Sequence, residues 1–423
     1  MKKLESISVL EDLNMGINNK LKRNISVSYM YNFLLQLNIT SAIWVLYLAF
    51  RGMSLVQIGI LESIYHMTGL LFELPTGAIA DVYGKKFSVV VGRALSVISC
   101  ILMIISNSFL GFAIAFVLSS AAMNLNSGAA EALVYDSLKE LGQEEKYKRI
   151  WGNLAFIMSI AQGLAVLLGG ILADIRFLYA YVLGTIIQAI ALISAFRFKE
   201  PSINRDKEKP LGNQIVYQLT TSIKVLKERR IVLYLILFSA LTASLQTTVF
   251  FYSQKYFSDM SYSKTTIAVI CALSSFIEAL SSKYAYSFEK LFKLKGTLVS
   301  IAAVNIFALT GMAFMKNLSI VFFLLTSITG GLAFTIFSDY INTRIPSEYR
   351  ATILSFDSLC FSTFMICVFP LFGFIAEKIG FSITFGIIAI LYIPVMIFLM
   401  LKLKKHKNRE IVGGNENDRI SFK

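Results

Sequence analysis

Residues 73–86 read ELPTGAIADVYGKK and lie between two apolar runs, 55–76 and 87–106. The runs decide how the short polar stretch is understood. Each is long enough, at ~1.5 Å per helical residue, to cross ~30 Å of hydrocarbon. Similar runs recur along the 423 residues, which are 56% hydrophobic and 16% charged, with mean hydropathy +0.66. A soluble domain carries about 25% charged residues. Peptide groups inside a bilayer find no water, so spans must be helices or strands of a closed barrel. Barrel strands are about ten residues long and alternate in and out; these runs are longer and do not alternate. The expected fold is an all-α polytopic membrane protein.

Twelve transmembrane helices are expected: 26–49, 55–76, 87–106, 109–131, 150–173, 178–197, 231–252, 264–284, 297–315, 318–338, 351–376 and 380–401. The polar residues 1–24 lack a small-residue cleavage site, so the first span is expected to act as its own insertion signal. The hydrophilic stretch 198–230 divides the spans six and six, giving a 25–197 half, a 198–230 linker, a 231–401 half and a basic 402–423 tail. The halves also echo one another. Asp136 and Asp339, Gly170 and Gly373, and Asp174 and Glu377 share an offset of 203, and Glu73 matches Glu278 at 205. Two pseudo-symmetric six-helix bundles around a central site make a transporter architecture.

The net charge of +14 follows topology rather than a nucleic-acid partner. With an even number of spans both termini share a side, and only Arg51, Arg176, Lys255, Lys264, Lys316 and Lys378 among 40 Lys and Arg fall on the other. The positive-inside rule then places both termini in the cytoplasm, for a bacterial protein at the plasma membrane. Four cysteines without a C-x-x-C and two histidines offer no metal cluster, and no phosphate-binding G-x-x-x-x-G-K-[ST] loop is present. No cofactor, metal or enzymatic activity is expected. The partners are a small-molecule substrate, protons and lipid, with the chain a monomer.

Carboxylates inside spans cost a few kcal/mol on insertion scales, so they face cavities or partners. Glu62, His66, Gly69 and Glu73 are spaced four, three and four, one stripe on a helix. Asn124, Ser127, Glu131 and Tyr135 repeat that pattern, and Asn32 and Gln36 share a face of the first span. Glu62, His66, Glu73, Glu131, Glu278 and Asp357 are the residues expected to couple protons to substrate; Asn32, Gln36, Asn124, Ser127 and Tyr135 are expected to line the cavity. A membrane acid can instead stay protonated as packing glue, and Glu73, near a span end, can also be structural. Asp136 is expected to cap a helix or pair with Arg149.

Gly77, Ala80, Asp81, Gly84, Lys85 and Lys86 resemble the loop 2–3 signature of the major facilitator superfamily, G-x-L-A-D-R-x-G-R-K. Ile79 stands for Leu, the two lysines for Arg-Lys, and Val82 departs from the usual Arg. The resemblance covers about residues 20–405 and implies alternating access by secondary transport. It implies that Asp81 meets the start of the eleventh span near Arg350–Thr352, with Lys85 and Lys86 at the lipid surface. Gly77 and Gly84 are expected to permit a tight turn. Glu73-x-Pro75-x5-Asp81-x3-Lys85-Lys86 is similar to the variant motif of the clostridial class of tetracycline efflux proteins, which implies proton-coupled export of hydrophobic or amphipathic drugs. Against antiport, Ala161, Ala165 and Val166 replace residues of the superfamily's antiporter signature around Gly152, Gly169 and Gly170. Import of a small nutrient or peptide by proton symport is the alternative.

Overall fold

The computed structural model describes residues 2–202, 226, 230–345 and 347–413. Most of the expected 198–230 linker and the tail beyond residue 413 lie outside them. Among the described residues the regular structure is helical. The first eight helices are α1 (Lys2–Gln36), α2 (Trp44–Phe50), α3 (Leu55–Tyr83), α4 (Lys85–Ile105), α5 (Phe109–Asn126), α6 (Ala129–Glu140), α7 (Tyr147–Ile175) and α8 (Phe177–Phe196). Then come α9 (Arg230–Asp259), α10 (Lys264–Phe314), α11 (Ser319–Arg344), α12 (Ser347–Ile379) and α13 (Phe381–Gly413).

Ten of the described helical segments are long and apolar enough to cross a membrane. One of them, α10, joins the expected spans 264–284 and 297–315 across Lys293, whose backbone leaves the helical region at φ 55 and ψ 166. The expected first span, 26–49, is split between α1 and α2 by turns over 37–43. Asn38, Thr40 and Ser41 offer side-chain oxygens that compete with helical pairing, and Thr40 Oγ1 donates to Asn38 Oδ1 at 3.2 Å. The doubled helix and the split one reconcile ten helices with twelve expected crossings. Large apolar side chains stand uncovered on these helices, Phe314 at 81% and Phe334 at 74% exposed. Lipid solvates such faces; water does not.

Two expectations about local geometry change. The helix α3 continues through Pro75 and Gly77 to Tyr83, and the chain turns only at Gly84, whose φ of 106 suits glycine. Thr76 Oγ1 donates to the Phe72 and Glu73 carbonyls beside the proline. The expected 109–131 span is interrupted at Ser127 and Gly128, with Gly128 at φ 73, and resumes as α6 out to Glu140. Asn124 and Glu131 therefore belong to different helices rather than to one unbroken stripe.

The chain forms two compact units, Met1–Trp44 with Thr68–Leu211, and Val45–Met67 with Gly212–Lys423. In the first, α4 packs on α5 and α8, while α1 packs on α7, α8 and α6. Its core includes Tyr31, Val89, Leu133 and Phe198, with Tyr31 and Phe198 rings edge-on at 5.4 Å. In the second, α10 pairs with α11 and α13, and α9 with α12 and α11. Stacked, tilted and edge-on rings of Tyr252, Phe369, Phe372, Phe381 and Phe385 fill its interior. The start of α3 belongs to this unit: Tyr252 Oη donates to the Leu55 carbonyl at 3.0 Å, Ser63 Oγ to the Ile366 carbonyl at 2.9 Å, and the Val56 N–H to Glu377 Oε2 at 3.0 Å.

Backbone approach sets what these interfaces tolerate. A Cβ at Gly169 of α7 would lie 2.0 Å from the Ile39 carbonyl oxygen, a backbone atom that cannot swing away. At Gly163, on another face of the same helix, a Cβ meets nothing within 4 Å. Gly169→Val is expected to lower the detergent-solubilised melting temperature, at a cost of about 1–3 kcal/mol from overpacking, whereas Gly163→Val leaves it unchanged. Thermal melts followed by size-exclusion of the two variants make the comparison.

Candidate functional site

The glycine turn brings the loop motif into an ion-paired cluster of the first unit. Lys85 Nζ pairs with Asp136 Oδ2 of α6, at side-chain exposures of 28% and 19%. The backbone N–H groups of Lys85 and Lys86 donate to the two carboxylate oxygens of Glu200, at 2.9 and 2.7 Å. Those N–H groups open α4, and an anion there is favoured by the helix dipole. Two expectations are thereby corrected: Asp136 pairs with Lys85 rather than Arg149, and Lys85 is turned to that carboxylate rather than to lipid. Gly77 lies inside α3, and a Cβ placed on it would have no heavy atom within 4 Å. Asp81 is exposed in the first unit, while Arg350 and Thr352 belong to the second.

Three of the five residues expected to line a cavity, Asn124, Ser127 and Tyr135, lie along the interrupted fourth span. Asn124 Nδ2 donates to the Gly69 carbonyl at 2.7 Å, so the α3 and α5 stripes meet there. Ser127 is exposed at the break, and Glu131 is exposed in the first turn of α6. Glu131 Oε1 accepts a hydrogen bond from the Tyr147 hydroxyl at the start of α7. Tyr135, one turn beyond Glu131, sets its ring edge-on to Tyr147 at 5.2 Å. Asn32 is buried, with its amide on the Ser28 carbonyl of its own helix, and Gln36 is half-buried as the last residue of α1.

Glu62 and His66 fall in the second unit. Glu62 is 8% exposed, and its Oε1 lies 3.5 Å from His66 Nε2. The other ring nitrogen of His66 lies 3.3 Å from Ser362 Oγ of α12, with Phe361 and Tyr65 edge-on to the imidazole. Asp357, also on α12, is half-buried, and its Oδ1 has no hydrogen-bond partner among the described residues. Glu278 is exposed on α10, and its Oε1 and Gln246 Oε1 each lie 3.4 Å from where a Cβ of Gly330 would stand. Glu73 is exposed on α3, in the first unit. The residues expected to handle protons are thus divided between the units, not gathered in one.

The family model of the Major Facilitator Superfamily matches residues 25–362. The chain belongs to this superfamily. Two uncharacterized MFS-type transporters are similar over nearly their whole length: YxaM of Bacillus subtilis (strain 168) is 23% identical over 400 residues, covering 92% of this chain and 98% of that one. MJ1560 of Methanocaldococcus jannaschii is 21% identical over 398 residues, covering 91% and 100%. Among solved structures, the nucleoside transporter NupG superposes with TM-score 0.72 at 14% identity, covering 91% of this chain and 99% of that one. A D-xylose-proton symporter superposes with TM-score 0.64 at 14% identity, covering 89% and 96%. The chain is a multi-pass membrane transporter of the major facilitator fold, and its relatives and neighbours are transporters rather than enzymes.

Sequence reasoning passed over several polar groups in this major facilitator chain. Arg93, inside the apolar run 87–106, is 3% exposed; its Nη1 donates to Gln188 Oε1 of α8 at 2.8 Å, and its Nε has no hydrogen-bond partner among the described residues. Counting cations by side of the membrane hid it, although an arginine amid valines was a visible signal. In the second unit Gln246 Nε2 donates to Thr329 Oγ1 at 2.8 Å, and Thr329 Oγ1 to Asn305 Oδ1 at 3.0 Å, a polar chain across α9, α11 and α10. Its members are uncharged and stand one to a helix, so no spacing in the sequence flags them.

The Lys85–Asp136 pair is open to direct measurement. Lys85→Asp and Asp136→Lys are each expected to lower thermal stability, and the double reversal to recover it. A double-mutant cycle is expected to give a coupling of about 0.5–1 kcal/mol, the range for partly exposed pairs.

Proposed function

We propose that the chain is a proton-coupled exporter of hydrophobic or amphipathic drugs that works by alternating access, with tetracycline the first substrate to try. The observation that carries the reading is the Glu62–His66–Ser362 arrangement, a carboxylate and an imidazole 3.5 Å apart within membrane helices. A carboxylate beside an imidazole can share a proton with it. Moving one charge down the membrane potential supplies ~2.3 kcal/mol per 100 mV, enough to sustain a modest solute gradient. A neighbour in fold is a xylose-proton symporter, so the fold accommodates proton coupling in that protein.

Glu131, Glu73, Glu278 and Asp357 remain the other proton carriers of the proposal. Ser127 and Tyr135, both exposed at the interrupted fourth span, are its cavity residues best placed to meet a substrate. The contact of Asp81 with the eleventh span stays part of the proposal, as do six-helix halves, cytoplasmic termini and a monomer. The drug class rests on the Glu73-x-Pro75 resemblance and on the wealth of aromatic and apolar side chains.

The test uses inside-out vesicles with an acidified lumen. Adding tetracycline is expected to release protons from the lumen, and Glu62→Gln or His66→Ala to reduce that release to background with the protein still inserted. Silence across tetracyclines, macrolides and dyes sinks the drug reading. Substrate accumulation by intact cells in response to a pH gradient would replace export with import.

A further inference from the structure

We propose that Glu131, Tyr135, Tyr147 and Trp151 form a binding site for an organic monocation, on the side of the first unit where α6 and α7 meet. The proposal rests on reading the chain as a small-molecule exporter and adds the charge of the substrate. Four observations converge. Glu131 is exposed, and the Tyr147 hydroxyl donates to its Oε1, leaving Oε2 for a ligand. Tyr135 and Tyr147 set their rings edge-on at 5.2 Å and 89°. Tyr147 and Trp151 stack with centroids 6.0 Å apart and planes 18° apart. Among the described residues no Lys, Arg or His lies within ion-pairing distance of Glu131.

That combination differs from other carboxylates of the unit. Asp136 has Lys85, and Glu200 has two peptide N–H groups. Glu131 has a neutral hydroxyl, although Lys148 and Arg149 follow Tyr147 directly and are both exposed. Its charge is thus left for something that is not a protein cation. Rings attract cations over their faces, Trp most strongly, by ~0.5–1 kcal/mol in water-exposed settings and about 2 when desolvated. A carboxylate held by the first of three mutually contacting rings therefore matches an alkyl- or arylammonium ion, or a phosphonium of similar shape. Aromatic side chains also collect at membrane–water boundaries without binding anything. Glu131 lies five residues before the ion-paired Asp136 on α6, about 7.5 Å along the axis at ~1.5 Å per residue, so the acid is not part of the ion-pair layer.

The protein contains two tryptophans, Trp44 and Trp151, which makes the site its own reporter. Full-length Trp44→Phe protein in detergent is titrated with tetraphenylphosphonium while Trp151 emission is recorded. A saturable change is expected, and Glu131→Gln is expected to weaken the apparent affinity by about tenfold or more, equivalent to ~1.4 kcal/mol. Tetraphenylborate, the same shape with opposite charge, is expected to give no saturable response. Tyr135→Leu, which removes a ring and keeps the acid, is expected to weaken binding about threefold and serves if Glu131→Gln protein does not fold. An equal response to tetraphenylborate, or unchanged affinity in the folded variants, overturns the site and marks the rings as an interfacial belt. No proton gradient is present in this titration, so its outcome is independent of the vesicle assay for proton-coupled export.

Discussion

A peptide group in hydrocarbon has no water to bond, and every feature of this chain is arranged around that constraint. It explains why the described regular structure is helical, and it makes each interruption informative. At Ser127–Gly128 the loose backbone groups are taken up locally. The Ser127 N–H returns to the Met123 carbonyl, Asn126 Nδ2 takes the Ala122 carbonyl, and Ser88 Oγ takes the Leu125 carbonyl at 2.6 Å. The first turn of α6 then begins inside the apolar stretch, and its unpaired N–H groups favour an anion. Glu131 occupies that turn. Discontinuous helices of this kind are tolerated where they line a cavity or are covered by protein.

The same constraint sorts the carboxylates by partner. Lys85 neutralises Asp136, and Lys255 neutralises Asp259. Glu200 and Glu377 accept from peptide N–H groups at the starts of α4 and α3. These four are satisfied by fixed positive charge or peptide dipoles. Glu62 and Glu131 are met instead by an imidazole and a phenol, groups that can reverse or release a hydrogen bond at little cost. On the proton-coupled reading, chemistry more than depth in the membrane separates the acids that would exchange a proton or a ligand from those that hold helices together.

Run length and hydropathy made the polytopic helical fold legible, because a membrane span needs ~20 apolar residues whatever their order. The acids and His66 were legible for the same reason, as polar residues in apolar company. Breaks were harder to read. Gly128 looks like Gly77 in the sequence, yet one takes φ 73 and the other stays helical, because only the packing around each decides. Pairing was harder still: Asp136 was expected to cap a helix or meet Arg149, 13 residues away, and pairs instead with Lys85, 51 residues away. Glu200, beyond the last helix of the first six expected spans, reaches back to the loop motif across 115 residues. Distances of that kind are set by tertiary packing, which leaves no periodic trace.

Helices in a membrane gain no hydrophobic energy from touching, so their contacts rest on close packing and hydrogen bonds averaging about 0.6 kcal/mol each. The bonds from Tyr252 to the Leu55 carbonyl and from Ser63 to the Ile366 carbonyl, and the one Glu377 accepts from Val56, hold the start of α3 within the second unit. A few bonds of that size amount to roughly 2 kcal/mol, comparable with the ~2.3 kcal/mol that one charge gains across 100 mV. On the proton-coupled reading this match has a consequence. Glu62 and His66 lie on the same stretch of α3 that those bonds hold, so a proton arriving there acts on contacts weak enough for its energy to exchange. Ion pairs buried at the same place would be too costly to break; the bonds around Leu55–Met67 come instead from hydroxyl and peptide donors.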